Sequence, residues 1–256
     1  MTLKGKIVLV TGASSGIGEA TALAFAAEGA RLLLAARREE KLAKVAAAAT
    51  ARGAEVVRSI RLDVRDRKAV QLGLEALPAE WAAIDILVNN AGLSRGLEKL
   101  YQGRIEDWEE MIDTNVKGLL YVTRAVVPGM VERGRGHVIN LGSTAGEMTY
   151  PGGAVYCATK AGERAINDGL RQDLLGTPVR VTTVDPGMVK TDFSLVRFHG
   201  DQERAANVYK NIHPLTAEDV AETIVWVASR PEHINIARVM MTSVQQANSL
   251  LFHREA

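Results

Sequence analysis

The chain of 256 residues has one cysteine, Cys157. A lone thiol cannot close an internal disulfide, so the expectation is a soluble cytoplasmic protein in a reducing compartment. No histidine stands near Cys157 in the sequence, which favours a small packing residue over a nucleophile. Charge of one sign is also lacking: 31 Lys and Arg meet 30 Asp and Glu, and no acidic or basic block stands out. That argues against binding nucleic acid or a membrane surface through charge. The histidines, at positions 137, 199, 213, 233 and 253, show no metal-ligand spacing, and no metal site is expected. Long apolar runs are missing as well. The run from Ile7 to Val10 is soon interrupted by Gly12, and no stretch reaches the roughly 18 apolar residues a membrane span needs.

What the chain does have is rhythm. Short apolar runs at 6–11, 31–36, 55–64, 85–90, 137–143, 179–187 and 234–242 read as about seven strands. Near-continuous apolar character suits strands buried on both faces. Helical patterns lie between them, at 16–28, 38–52, 66–77, 104–131, 154–175, 202–211 and 216–229. Such alternation means βαβ units in a parallel sheet. No linker or internal repeat interrupts it, so residues 1–256 read as a single α/β domain with a doubly wound Rossmann sheet and helices on both faces. The long connection 187–215 begins at the carboxyl end of a strand, where open parallel sheets bind ligands, and reads as a substrate lid carrying a short helix.

Five local patterns carry chemistry. "TGASSGIG" (11–18) follows the first strand and opens a helix; its glycines at 12, 16 and 18 allow a tight turn and close approach of backbone to a phosphate. The spacing GxxxGxG fits the general dinucleotide fingerprint loosely. At the end of the second strand no acid stands at Ala35 or Ala36 to bind a ribose hydroxyl, and Arg37 and Arg38 follow directly. Guanidinium suits a 2′-phosphate, so the pattern reads as NADP rather than NAD, against the plainer view of two arginines opening a solvated helix. Asn115 falls on the apolar stripe of Trp108, Met111, Ile112, Val116 and Leu119, where an amide either caps a kink or holds a water or another polar group. Ser143, where the fifth strand gives out, either faces a ligand or turns the chain.

The fifth pattern is "VYCATKAGE" (155–163), with Tyr156 and Lys160 one helical turn apart on one face. An ammonium beside a phenol stabilises the phenolate, which makes a proton donor and acceptor usable near neutral pH. Alone, Y-x-x-x-K is short enough to be an ordinary exposed pair.

Together, T-G-x-x-x-G-x-G, N-N-A-G at 89–92, Asn115, Ser143 and Y-x-x-x-K occur in the order found in classical short-chain dehydrogenases/reductases, which the chain resembles over essentially its whole length. The resemblance implies a catalytic set of Asn115, Ser143, Tyr156 and Lys160: a water-holding amide, a hydroxyl on the substrate oxygen, the acid/base, and the lysine that acidifies it. It implies that NADP(H) is held by Gly12, Ser14, Ser15, Gly16, Ile17 and Gly18 at the glycine turn, with Arg37 and Arg38 on the 2′-phosphate. Asp63 and Val64 would flank the adenine; Asn90, Ala91 and Gly92 would wall the ribose. Tyr156 and Lys160 would also contact the cofactor, and Pro186, Gly187, Val189 and Thr191 would clamp the nicotinamide. A homotetramer is implied too.

Longer stretches, among them "GSTAGEMTYPGGAVYCATKA" and "DFSLVRFHGD", resemble the NADP-dependent 3-hydroxy acid dehydrogenase subgroup, which acts on serine and similar short hydroxy acids and on small semialdehydes. A small acid needs a cation. Arg197 is the first candidate, followed by Arg95 and Lys99; Ser143 and Met148 complete the expected substrate contacts. Glu147 counts against this if it points inward. The alternatives are a reductase of neutral ketones or 3-oxoacyl thioesters on the same scaffold and, more remotely, an NADP-binding regulator without catalysis.

Overall fold

The structure, a computed structural model, describes residues 2–255. In chain order its elements are β1 (Ile7–Thr11), α1 (Gly16–Ala27), β2 (Arg31–Ala36), α2 (Glu39–Ala51), β3 (Val56–Arg61), α3 (Arg67–Glu75), α4 (Ala79–Ala82), β4 (Ile86–Asn89), α5 (Ile105–Ile112), α6 (Leu119–Glu132), β5 (Gly136–Leu141), α7 (Ala154–Asp173), β6 (Val179–Pro186), α8 (Phe193–Arg197), α9 (Gln202–Val208), α10 (Ala217–Ala228) and β7 (Arg238–Met241). The strands form one parallel sheet in the order β3-β2-β1-β4-β5-β6-β7. The chain reverses its direction of travel between β1 and β4, which opens a crevice at their carboxyl ends.

The apolar runs are buried because side chains alternate across a sheet that is covered twice. Val8, Val10, Leu32, Leu34, Ile86 and Val88 pack under α1, α2 and α10, against Phe25, Leu42 and Ile224. Their neighbours Ile7, Leu9, Leu33, Leu87 and Val138 face α3, α6 and α7, against Val70, Val122, Met130 and Leu174. Each fully buried Leu, Ile, Val or Phe contributes about 1.5–3 kcal/mol, so both faces are needed to hold the sheet. The edges depart from the expected two-sided burial. β3 carries Arg58, Ser59 and Arg61 and leaves Val56 exposed, because an edge strand has only one neighbour and part of a face to cover.

The helix expected over 104–131 is not continuous. Between α5 and α6 the turn Asp113–Gly118 widens into a π-helical segment. Two contacts account for it. A side chain on Gly118 would meet Val64 Cγ2 at 2.6 Å, so the backbone passes close to the segment after β3. Asn115 meanwhile holds the Leu93 backbone: its Oδ1 accepts from the Leu93 N–H at 2.9 Å and its Nδ2 donates to the Leu93 carbonyl at 2.8 Å. A π-bulge re-aims a side chain without ending the helix. The connection 187–215 holds two short helices rather than one. α8 begins at Phe193, and α9 stops at Val208, short of the expected 211. α4, with buried Trp81, had no signal in the apolar pattern.

Candidate active site

The loop after β1 is shaped by contacts that exclude side chains. Gly12 and Gly16 have φ of +65° and +57°, a region costly for residues with a Cβ. A Cβ on Gly12 would lie 2.9 Å from Ala91 Cα. Asn90 fastens this loop to the end of β4, donating from Nδ2 to the Thr11 carbonyl at 2.8 Å and from its N–H to Thr11 Oγ1 at 3.0 Å. Ser15 precedes α1 without capping it through its side chain, so the first-turn N–H groups stay open toward the crevice.

Over this loop lies a cavity of about 300 Å³ that runs across the carboxyl ends of the strands. Arg37, Arg38, Asp63 and Val64 line one end, the glycine turn and Asn90–Gly92 the middle, and Ser143, Tyr156, Lys160, Pro186, Gly187, Val189 and Thr191 the other end. Arg38 is committed to the loop, donating to Ser14 Oγ at 3.0 Å and Ser15 Oγ at 2.6 Å. Arg37 is half exposed and lies 4.0 Å from Glu110. Burial pushes the Asp63 carboxyl up, but two-pronged hydrogen bonding from Arg65 outweighs this and holds it below the usual carboxylate range. An open helix N-terminus, small residues under a shallow trough and guanidinium at one end fit a phosphorylated dinucleotide.

At the opposite end α7 presents Tyr156 and Lys160 on one face, both buried. Lys160 Nζ donates to the Leu141 carbonyl at 2.7 Å and to Glu163 Oε2 at 2.8 Å. Burial alone would push this ammonium down; Glu163, then Tyr156 and Asp185, reverse the shift and keep it charged. Phe193 of α8 packs its edge on the Tyr156 ring, centroids 5.7 Å apart. Ser143 does two things at once: it lines the cavity, and its Oγ accepts from the Ala145 N–H at 3.1 Å to cap a short 3₁₀ turn.

Four expected residues lie off the cavity wall. Gly18 sits behind it, where a Cβ would meet the Gly12 carbonyl oxygen at 2.4 Å, so only glycine lets α1 pack there. Asn115 lies beneath, tied to Leu93 and, through its Nδ2, to Thr159 Oγ1 at 3.0 Å. It marks a kink and also holds polar groups. Met148 is partly exposed after the 3₁₀ turn. Arg197 stands outside the wall but stacks over Tyr156, its guanidinium carbon 5.5 Å from the ring centroid, and donates to Tyr150 Oη at 3.0 Å. Of the other candidate cations, Arg95 pairs with Glu110 at 2.7 Å, and Lys99 lies over Tyr101, away from Tyr156. Glu147 points away, held by Arg164 and Arg238. Leu93, Thr114, Phe193 and Val196 also line the cavity; as apolar or small residues outside the motifs they carry no signature in sequence. The tail folds back on its own chain, where Gln246 Oε1 accepts from the Met188 N–H at 2.7 Å and the Glu255 N–H bonds the Asn211 carbonyl at 3.0 Å.

The chain belongs to the short-chain dehydrogenase family, whose profile matches residues 6–201, and by class it is an oxidoreductase. Among curated relatives, it is 52% identical to an NADP-dependent 3-hydroxy acid dehydrogenase of Salmonella typhi over 242 residues, covering 94% of this chain and 96% of that one. It is 45% identical to a serine 3-dehydrogenase of Agrobacterium fabrum over 240 residues, covering 94% of each. Among solved structures, it is similar to the closed form of a serine dehydrogenase complexed with NADP+, with a TM-score of 0.91, 50% identity and coverage of 97% of this chain and 100% of that chain.

Proposed function

We propose that the protein is an NADP(H)-dependent dehydrogenase of short hydroxy acids, of the serine or 3-hydroxy acid type, interconverting them with their semialdehydes. The observation that carries the acid specificity is Arg197. Its buried Nε has no hydrogen-bond partner, and no carboxylate pairs with it among the described residues. A guanidinium left without an acid, against the ring of the proposed acid/base, suits a carboxylate supplied by the substrate. Burial pushes the neighbouring Tyr150 well above its ordinary value, so that phenol stays neutral and does not neutralise the arginine.

NADP(H), when bound, supplies or accepts the hydride. The chain's own residues then have these roles. Tyr156 gives a proton to the substrate oxygen in reduction and takes it in oxidation. Ser143 hydrogen-bonds that oxygen as charge develops on it, where such a bond lowers the barrier most. Lys160 keeps a positive charge beside the phenol. Asn115 fixes the Leu93 backbone under the site. Arg37 would bind the 2′-phosphate, with Arg38 bracing the glycine loop beside it, and the Pro186–Thr191 segment would border the nicotinamide. Residues 1–256 act as one catalytic domain, with 187–215 as its lid. The same reading includes a cytoplasmic homotetramer; exposed Ile112 and Leu120 beside α5 and α6, and Trp226, Met240 and Val244 near β7, are apolar surfaces such an assembly would cover.

The test is a spectrophotometric screen with NADP and NAD against L-serine, short 3-hydroxy acids and neutral secondary alcohols, repeated with Arg197→Met. NADP-linked turnover of the acids is expected, with KM for acids rising about 100-fold in the variant, the loss of a charge-assisted pair, and neutral alcohols unaffected. Turnover confined to neutral alcohols would remove the carboxylate role.

A further inference from the structure

The mechanism leaves unused a buried acid that touches the site lysine. Glu163 lies one turn beyond Lys160 on α7, 2% exposed, with Oε2 2.8 Å from the lysine Nζ. Its other oxygen, Oε1, is buried and has no hydrogen-bond partner, and neither has Nδ2 of Asn167, one turn further along the same face. Acceptor and donor are complementary. From Asn167 a buried amide ladder continues: Asn140 Nδ2 donates to Asn167 Oδ1 at 3.1 Å, and Asn89 Nδ2 to Asn140 Oδ1 at 2.9 Å. Glu163 thus stands between the site lysine and the polar interior of the sheet, where a carboxyl without full solvation is costly.

We propose that Glu163 is a positioning residue of the oxidoreduction: it anchors the Lys160 ammonium from behind and, by gaining or losing its own proton, sets how strongly that ammonium stabilises the Tyr156 phenolate. The inference rests on the reading of Tyr156 and Lys160 given above. The surroundings make the carboxyl responsive near neutrality. Burial pushes it up to about 7, against the pull of Lys160 and with a further push from the Asp185 carboxylate. Asp185 faces the pair from β6 and is itself tied to Arg238 of β7. From β5 the Leu141 carbonyl meets Lys160 and the Asn140 amide meets Asn167, and in the 113–118 turn Asp113 and Lys117 pair with each other at the surface. Ionised, Glu163 partly cancels the lysine charge felt by the phenol; protonated, it releases that charge. The two states therefore favour opposite directions of proton transfer.

The test is the pH dependence of NADP-linked oxidation of L-serine, or of whichever alcohol turned over in the screen, for wild type, Glu163→Gln and Tyr156→Phe. Gln keeps the size and a polar contact to Lys160 but removes the charge; Asp185 and the phenolate still keep the lysine protonated. Expected for Glu163→Gln is unchanged NADPH binding and a rising limb of kcat/KM displaced by about one pH unit to the acid side. That is about a tenfold gain in oxidation on the limb, which mere structural damage does not produce. A limb that superimposes on wild type, or a uniform loss at every pH, overturns the proposal. Retained turnover in Tyr156→Phe would instead overturn the underlying reading of the site, whatever the glutamate does. If Glu163→Gln does not fold, infrared spectra of the wild-type protein decide: a buried protonated-carboxyl band lost on passing pH 7 supports the proposal, and its absence overturns it.

Discussion

Arg37 and Arg38 are neighbours in sequence but not in chemistry. Arg38 spends its hydrogen bonds on Ser14 and Ser15, so it shapes the glycine loop under either coenzyme. Arg37 is free of short contacts and can turn to a 2′-phosphate. Arg37→Ala should therefore weaken NADPH binding about 10- to 100-fold, the loss of one or two charge-assisted hydrogen bonds, and leave NADH nearly unchanged. Arg38→Ala should weaken both. Fluorescence titration with the two coenzymes separates the cases; equal loss for both in Arg37→Ala would remove its phosphate role. The same scale shows why a cation cannot be assigned from sequence. Arg95, Lys99 and Arg197 look alike on paper, and only spatial neighbours show that Arg95 is paired with an acid, that Lys99 lies over Tyr101, and that Arg197 lies over Tyr156.

At the scale of elements, α10 is held at its start by a reciprocal pair. Thr216 Oγ1 accepts from the Asp219 N–H at 3.2 Å, and Asp219 Oδ2 accepts from the Thr216 N–H at 2.8 Å. α10 supplies Val220, Ile224 and Val227 to the core under β1 and β2. Thr216→Ala should cost about 1 kcal/mol, read as a lower urea midpoint with unchanged slope. A variant as stable as wild type would show that packing alone holds the helix. The broken helix between 105 and 132 teaches the complementary lesson. Its apolar stripe runs straight through the break, because the π turn is made by contacts with Leu93 and Val64, which are distant in sequence.

For the whole molecule, pH acts through a buried histidine far from the cavity. His137 on β5 bonds Thr182 Oγ1 through Nε2 at 2.8 Å, while its Nδ1 has no partner. Burial, and then the Arg180 charge, hold it well below the ordinary histidine value. The folded chain thus keeps His137 neutral while the unfolded chain takes up a proton below about pH 6.5. Stability is present above that pH and is lost as pH falls, by up to about 1.4 kcal/mol per unit from this group. Glu163 acts with the opposite sign, but it is common to both proteins in a comparison of wild type with His137→Gln and cancels. Urea unfolding across a pH series should show wild type losing stability relative to the variant below about pH 6.5. Parallel curves would refute the neutral buried histidine.

The seven strands, their order along the chain and the motif ladder from Gly12 to Lys160 were legible in the sequence, because apolar periodicity and glycine spacing are local properties. The sequence by itself determined a doubly wound sheet and a tyrosine and lysine on one helical face. Which cation lies against Tyr156, why Glu147 turns away, where the long helix bulges, and that Glu163 backs the lysine were decided only by the tertiary structure. These depend on pairings across tens of residues. In a buried site the effect of a charge is set by its neighbours in space, through desolvation and distance, and not by its neighbours in the chain.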